Sequence, residues 1–417
     1  MIESQKKEVK RQQRLTRLGL HFLFIGAFAM LGGALRGFNL LLVLAGLLVA
    51  ALIMQWRWSR RSIEAMSVQR RLPSEAFAGR AFRVRYLLQN RSRWMPAWMV
   101  RVEDKICAVD ANLDALAICG AGVVPAGKTV ITPCDCVVQR RGKYRFGPVR
   151  ILTSFPFALF TSSETVDLTE EVHVFPRILS LQPRWRQKLR SRSGGVSTTA
   201  LRSGPVEGDF FGLREWRTGD SPKWIHWRTT ARINELAVRQ FEQQRRFDTC
   251  ILVDAYVADA DPSDLVESAI SLAATFLVNL VRAPSNRIVL AVAGRSSDTV
   301  IGGGSIPGKR RMLKVLAEVA PTDAPQLSEA VGKAMQMVGY TQQLVVISPR
   351  SMQSAQRDEE SFRSAISHWV RRASVQWIDV SRELERWVQM ESADPRTTRT
   401  EVESPEISGT QPQGSIA

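Results

Sequence analysis

The sequence predicts a three-part chain: two N-terminal transmembrane helices, an antiparallel β-sandwich-like domain, and a doubly wound, Rossmann-like α/β domain. Three patterns carry this. Two uncharged apolar runs stand back to back near the start, short alternating runs follow, and residues 249–380 alternate strand with helix. The 417 residues suit two or three domains, and 45% hydrophobic with 23% charged residues is the composition of a folded chain. An excess of 57 Lys+Arg over 40 Asp+Glu gives a net charge of +17. That charge calls for an anionic partner: lipid headgroups, nucleic acid or an acidic protein surface.

The first element is a helical hairpin over residues 18–56. Residues 18–35 carry no charge, and after Arg36 and Gly37 a second uncharged run occupies residues 38–56. Each run of about 18 residues makes about 27 Å of helix, enough for a bilayer's hydrocarbon core. A cleaved signal peptide would show one such run and a cleavage site, not two runs without a polar stretch between them. The first 17 residues carry six Lys/Arg against two Glu, and residues 57–71 carry five Arg against Glu64. The bend carries Arg36 alone. The positive-inside rule therefore places the basic N-terminus, residues 1–17, and everything after residue 57 in the cytoplasm, at the cell (inner) membrane. These flanks supply +8 of the +17, (6 − 2) + (5 − 1), so anionic lipid explains nearly half the excess.

Next comes a β domain over residues 66–180. Period-two runs such as Phe82-Arg83-Val84-Arg85-Tyr86-Leu87 recur at about 10-residue spacing. Turn signals at Asn90-Arg91-Ser92, Pro125-Ala126-Gly127 and Arg141-Gly142-Lys143 separate them. Residues 184–205, rich in Gly, Ser and Arg and without an acid, predict a linker or exposed loop. The α/β domain fills residues 206–385, with strands at 249–253, 287–293, 343–347 and 375–380. Helices are expected at 262–281, 310–319, 327–337 and 360–372. Residues 391–417 are Ser/Thr/Pro/Glu-rich and predict a disordered tail. The five cysteines are an odd, scattered set that suits a reducing compartment, and Cys134 and Cys136 lack the partners of a zinc site.

Just ahead of the first α/β strand lies GDFFGLREWRTGDSPKWIHWRTTAR, residues 208–232. It resembles the signature of the domain of unknown function 58 family at Asp209, Phe210, Gly212, Leu213, Arg214, Trp216, Gly219, Asp220, Ile225, Trp227, Arg228, Ala231 and Arg232, with Lys223 where Arg is usual. QRRGKYRFGPVRILTSFPFALF, residues 139–160, resembles the end of that family's β domain. The resemblance implies a membrane-anchored cytoplasmic protein with a β domain and a von Willebrand factor A-like domain. It also implies a MoxR-type AAA ATPase as partner, a role in assembling or remodelling other proteins, and no established enzymatic activity. Physically, the signature admits three readings. In the favoured one, Asp209 and Asp220 pair with Arg214, Arg228 or Arg232 in an internal clamp while the tryptophans cover the sheet edge. A partner-binding surface of Trp and Arg is second. Single-stranded nucleic acid binding is third, because nearby acids repel phosphate.

Other sites fail on their chemistry. Von Willebrand factor A domains hold Mg²⁺ with Asp-x-Ser-x-Ser, and here the string is Asp254-Ala255-Tyr256-Val257-Ala258. Only the carboxylate of Asp254 survives, so no metal and no cofactor is expected there; Asp254 is left to cap a helix or pair with a cation at the sheet's carboxyl edge. Residues 303–309 meet Gly-x4-Gly-Lys, but Arg310 stands where Mg²⁺ binding needs Ser or Thr. The four histidines, His21, His173, His226 and His368, are dispersed. The expected function is a non-enzymatic membrane-anchored interaction or scaffold protein. The alternatives are a metal-dependent or hydrolytic enzyme joining Asp254 to Asp220 or Asp209, and a nucleic-acid-binding protein.

Overall fold

The computed structural model describes residues 9–109, 114–191, 210–217, 220–241, 248–257, 263–281, 287–295, 297–303, 305–337, 343–370 and 374–389. The expected tail at 391–417, and residues 192–205 of the expected linker, lie outside these.

The first described element belongs to the β domain. β1 (Val9–Leu15) runs into α1 (Arg17–Arg36), whose N-cap Thr16 accepts from the Gly19 N–H at 3.0 Å. Gly37, at φ 67, ends α1, and α2 (Asn39–Glu64) returns alongside it. Both helices are long and apolar enough to cross a membrane. Small residues close the seam between them: Gly26, Ala29 and Gly33 are buried, and a Cβ on Gly33 would sit 2.9 Å from Leu42 Cγ. Phe24, Phe28, Leu31 and Leu35 point outward. α2 overruns the expected end at Trp56 because its last turns pack on the β domain, burying Gln55, Ser59, Ser62 and Ile63.

β2 (Met66–Arg71), β3 (Ala76–Phe77), β4 (Ala81–Asn90), β5 (Ala97–Ala108), β6 (Asp114–Val124), β7 (Thr129–Val137), β8 (Gly142–Thr153), β9 (Phe160–Val166) and β10 (Glu170–Phe175) complete this domain. One sheet orders β2-β4-β7; the other runs β1-β9-β8-β10-β3, with β5 joining β8 to β6. Alternation sets the faces: on β4, Phe82, Val84, Tyr86 and Leu88 are buried while Arg83 and Arg85 face out. The sheets are tied through their core by Arg70, which meets the Asp104 carboxylate at 2.9 Å, while the Tyr86 hydroxyl donates to that carboxylate at 2.8 Å. Burial and then the Asp104 charge push the Tyr86 phenol upward from its ordinary value.

The segment expected as a basic N-terminus supplies a strand. β1 pairs antiparallel with β9 from Val9↔Val166 to Leu15↔Phe160. Where the chain turns from sheet to helix, Gln55 answers the backbone of the β8–β9 loop. Its amide donates to Ser154 O at 3.0 Å and Phe160 O at 3.2 Å, and its carbonyl accepts from Phe157 N at 3.2 Å and Leu159 N at 3.1 Å.

The expected linker is partly helical: α3 (Trp185–Ser191) buries Trp185 and Leu189, one turn apart, in the α/β core. Then follow β11 (Phe210–Glu215), a 3₁₀ turn (Pro222–Trp224), α4 (Trp227–Ile233) and β12 (Ala237–Phe241). The α/β layers are β13 (Asp248–Asp254), α5 (Ser263–Leu280), β14 (Arg287–Ala293), β15 (Asp298–Gly303), α6 (Ile306–Glu318), α7 (Leu327–Met337) and β16 (Gln343–Ser348). α8 (Met352–Asp358), α9 (Glu360–Val370), β17 (Ser374–Asp379) and α10 (Val380–Trp387) close them. The sheet order is β15-β14-β13-β16-β17, parallel except for the antiparallel edge strand β15, which sequence periodicity missed. Ile251 and Val253 of β13 face the core shared with α5, α6 and α10; Cys250 and Leu252 face α7 and α9. The doubly wound expectation is met by this two-sided cover. Ser305 caps α6 by accepting from Gly308 N at 3.3 Å, so the Gly-x4-Gly-Lys string is a strand end and a helix start.

Arg141, in the turn before β8, locks the α/β domain to the β domain. It donates to the Leu316 carbonyl at 3.0 Å and the Val319 carbonyl at 2.7 Å, at the C-terminal end of α6, and pairs with Glu267 on α5.

Replacing Gln55 by Leu removes four bonds to the 154–160 turn and strands the Phe157 and Leu159 N–H groups, while Ser154 O keeps the Ala158 N–H at 2.9 Å. At about 1–3 kcal/mol for a buried unsatisfied group, partly offset by relaxation, the expected loss is about 2–4 kcal/mol in detergent-solubilised protein. Thermal unfolding with an unchanged midpoint would show that the joint is not held by this amide.

Candidate functional site

Two places concentrate the residues singled out by sequence. The first is the signature. β11 and β12 pair antiparallel with one irregularity near Gly212, as a two-stranded sheet of their own instead of an extension of the five-stranded one. Between them the chain folds onto its own backbone: Trp216 N donates to Leu236 O at 2.8 Å and His226 N to Ala237 O at 2.8 Å. The His226 ring caps α4, accepting from Thr229 N at 3.3 Å.

Arg214 and Asp220 form the expected clamp. The guanidinium meets the carboxylate in a fork, 2.6 Å on each arm, and the Arg217 N–H adds a bond at 2.9 Å. The Arg214 bond, followed by the Arg217 N–H, holds the Asp220 carboxyl below the usual carboxylate range. Arg228 and Arg232 do not join it. Both are exposed, and among the described residues neither makes a side-chain hydrogen bond or ion pair. Asp209 and Gly219 lie outside the described residues. The tryptophans do not all cover a sheet edge: Trp216 and Trp224 are half-buried, but Trp227 is 66% exposed. Ile225 is half-buried and bridges to Val238, whereas Leu213 is exposed. A seven-residue helix is too short to bury both faces, so α4 turns Trp227 and Ile233 to solvent.

The second place is the carboxyl edge of the five-stranded sheet, at the switch between β13 and β16. Asp254 ends β13, is 1% exposed, and receives the Ser348 hydroxyl at 2.8 Å and the Tyr256 N–H at 3.2 Å. Sequence reasoning left its cation unnamed. It is Arg350, whose Nε lies 3.1 Å from Asp254 Oδ2 and whose Nη1 lies 2.6 Å from Asp358. The guanidinium stacks 4.0 Å from the Tyr256 ring centroid, and the Arg350 carbonyl accepts from Trp377 Nε1 at 3.0 Å. Burial pushes the Asp254 carboxyl up from its ordinary value, against the opposing pull of Arg350 and Ser348. The charge of Asp254 is thus met by a fixed cation from the protein itself. Asp220 and Asp254, weighed as a catalytic pair, each have an arginine of their own. Among the described residues, no three His, Cys, Asp or Glu side chains are grouped to hold a metal ion. Cys134 and Cys136 share a face of β7 in the β-domain core, with sulfurs 4.0 Å apart.

The signature and the strands that follow it match a family model. The family described as protein of unknown function DUF58 matches residues 212–357, from β11 through α8. The chain carries a DUF58 domain. The uncharacterized protein YeaD of Bacillus subtilis (strain 168) is 23% identical over 142 residues, which is 34% of this chain and 34% of that protein. The chain thus matches about a third of that relative's length. Among solved structures, a mutant β-glucosidase from Listeria innocua in complex with laminaribiose aligns over 26% of this chain and 16% of its own, at 20% identity and a TM-score of 0.20. The sporulation control protein Spo0M from Bacillus subtilis covers 31% of this chain and 54% of its own, at 11% identity and a TM-score of 0.16. Likenesses at those scores carry no argument about the DUF58 domain.

Two measurements test these geometries. Arg350→Ala strands the Asp254 carboxyl in a buried site and is expected to cost about 3–5 kcal/mol, part of which Asp254→Asn restores in the double variant. In the single variant the folded Asp254 pKa lies above its unfolded value, so stability falls as pH rises from about 4 through the folded pKa. A flat pH profile would contradict the assignment. At the clamp the sign reverses. The folded pKa of Asp220 is depressed, so its contribution is present above the unfolded value of about 3.9 and lost as pH falls through the folded one. Melting curves of Asp220→Asn and wild type should therefore separate near neutrality and converge in acid.

Proposed function

We propose that the chain is a membrane-anchored cytoplasmic scaffold whose DUF58 domain, von Willebrand factor A-like in fold, receives a protein partner on the outer face of the signature. The observation that carries this is a division of labour within the signature. Its Arg214–Asp220 fork is spent on internal structure, while Leu213, Trp227, Ile233 and Leu236 stay 40, 66, 49 and 42% exposed around it. A rigid frame presenting an aromatic and aliphatic patch beside the free cations of Arg228 and Arg232 is the make-up of an interface hot spot. The strand order β15-β14-β13-β16-β17 with an antiparallel edge supports the von Willebrand factor A-like reading. The basic flanks of α1 and α2 support placement of both domains in the cytoplasm at the inner membrane. The resemblance of residues 208–232 and 139–160 to the family signature nominates a MoxR-type AAA ATPase as partner.

The enzymatic alternative calls for carboxylates sharing a cleft. The separate arginines of Asp220 and Asp254 favour the scaffold. For the nucleic-acid alternative, the acid at Asp220 beside the signature's cations weakens phosphate binding.

Affinity capture of the tagged full chain from gently solubilised native membranes, after nuclease treatment, tests the proposal by mass spectrometry. An AAA ATPase should be enriched over an untagged control and lost roughly tenfold or more in a Trp227→Ala, Leu236→Ala variant whose melting midpoint is unchanged. Equal enrichment in wild type and variant removes the signature face from the interface.

A further inference from the structure

The loops of the β domain nearest the helices carry a surface that the scaffold reading does not use. The strand registers gather them at one end of the sandwich. Ala97, at the start of β5, lies opposite Val124, the end of β6; the Asn90 side chain donates to Val124 O at 3.1 Å; and Gln89 lies opposite Thr129. Thr153 donates to Trp98 O at 2.8 Å, and the loop that follows it is the one bonded to Gln55 and Thr16. This is the end from which α1 and α2 depart.

Its chemistry is uniform. Residues 90–99, 124–129 and 153–160 contain Arg91, Arg93 and Lys128 and no Asp or Glu. The acid nearby in sequence, Glu64, is held by Arg60 at 2.9 Å. Between the cations stand Trp94, 91% exposed, Met99 at 66% and Phe157 at 48%. Trp98 stacks on Phe155 with centroids 5.6 Å apart and planes at 20°, a rigid aromatic base at the same end. Met99 holds φ 49, a conformation that a side-chain-bearing residue keeps only at a cost.

Exposed tryptophan interleaved with cations that have no side-chain partner among the described residues suits the headgroup layer, where an amphipathic ring finds both apolar and wet surroundings. The loop bonded to Gln55 keeps this end at the close of the uncharged run, at residues 38–56, where α2 leaves the apolar zone. We propose that this end of the β domain is a peripheral docking surface for anionic phospholipid, with Trp94 as its interfacial anchor. The inference rests on the reading that α1 and α2 cross the bilayer. Such docking gives the chain a second attachment and fixes the orientation of the domains on the membrane.

The test uses the full chain in nanodiscs of phosphatidylcholine with or without phosphatidylglycerol, the lipids brominated high on the acyl chain. Subtracting the emission of Trp94→Phe from wild type isolates one ring among the tryptophans. In anionic discs that difference signal should be blue-shifted and quenched by bromine. Each of Arg91→Gln, Arg93→Gln and Lys128→Gln should lower the docked-to-undocked ratio about fivefold. A difference signal that stays water-like and unquenched in both discs overturns the proposal and leaves the patch to a protein partner. Alkaline carbonate extraction reads the anchor separately. Retention with an unquenched Trp94 refutes the docking surface alone, whereas release from the membrane refutes the anchor on which it rests.

Discussion

One buried amide seats the helical hairpin on the β domain. Gln55 offers two N–H groups and a carbonyl with two lone pairs, and the loop between β8 and β9 uses all four, through Ser154, Phe157, Leu159 and Phe160. A turn with that many inward-facing backbone groups cannot dock on an apolar helix, because each unmet group costs more than the packing returns. With Gln55 in place the turn seats on α2 while Thr16, at the head of α1, binds Ala158 and Leu159 from the other side. The helices are consequently part of the β domain's framework, and whatever the α/β domain presents is presented at a set distance from them.

Arginine performs four further joins, each time with its charge met inside the protein. Arg70 ties the sheets of the β domain through Asp104; Arg141 holds the end of α6; Arg214 closes the signature on Asp220; Arg350 serves Asp254. A planar fork with several donors can satisfy a carboxylate and a carbonyl at once, which a lysine ammonium does less well. The chain's basic excess is therefore of two kinds. Part is locked into the fold, and part, at the helix flanks and the loops beside them, is left to face outward.

Where the pattern is local, it was legible. Uncharged runs gave the hairpin, alternation gave the strands of the β domain, and buried runs such as Thr249–Val253 placed the parallel strands within a residue or two. β1 was illegible because Val9–Leu15 reads VKRQQRL and pairs with FTSSETV: neither strand advertises a buried face, and the ladder joins residues 153 positions apart, as in Arg11–Glu164. The helix Trp185–Ser191 was hidden by its cations, since two apolar residues one turn apart are a faint signal. At the candidate site, the Arg214–Asp220 pair could be read because its members are six residues apart. The partner of Asp254 could not, being 96 residues away with no motif to mark it. Exposure of Trp227 depends on the shortness of α4, which composition does not encode.

The placement of β1 also sets a timetable. A strand made ahead of the hairpin must wait for a partner emerging about 150 residues later, roughly 10–30 s at ordinary elongation rates. During that interval the two apolar helices can pair with each other while β1 still lacks its strand partner. β1 thus finds its neighbour only after the hairpin and strands β2 to β8 have been made, and its pairing records that the sheet it joins has been built.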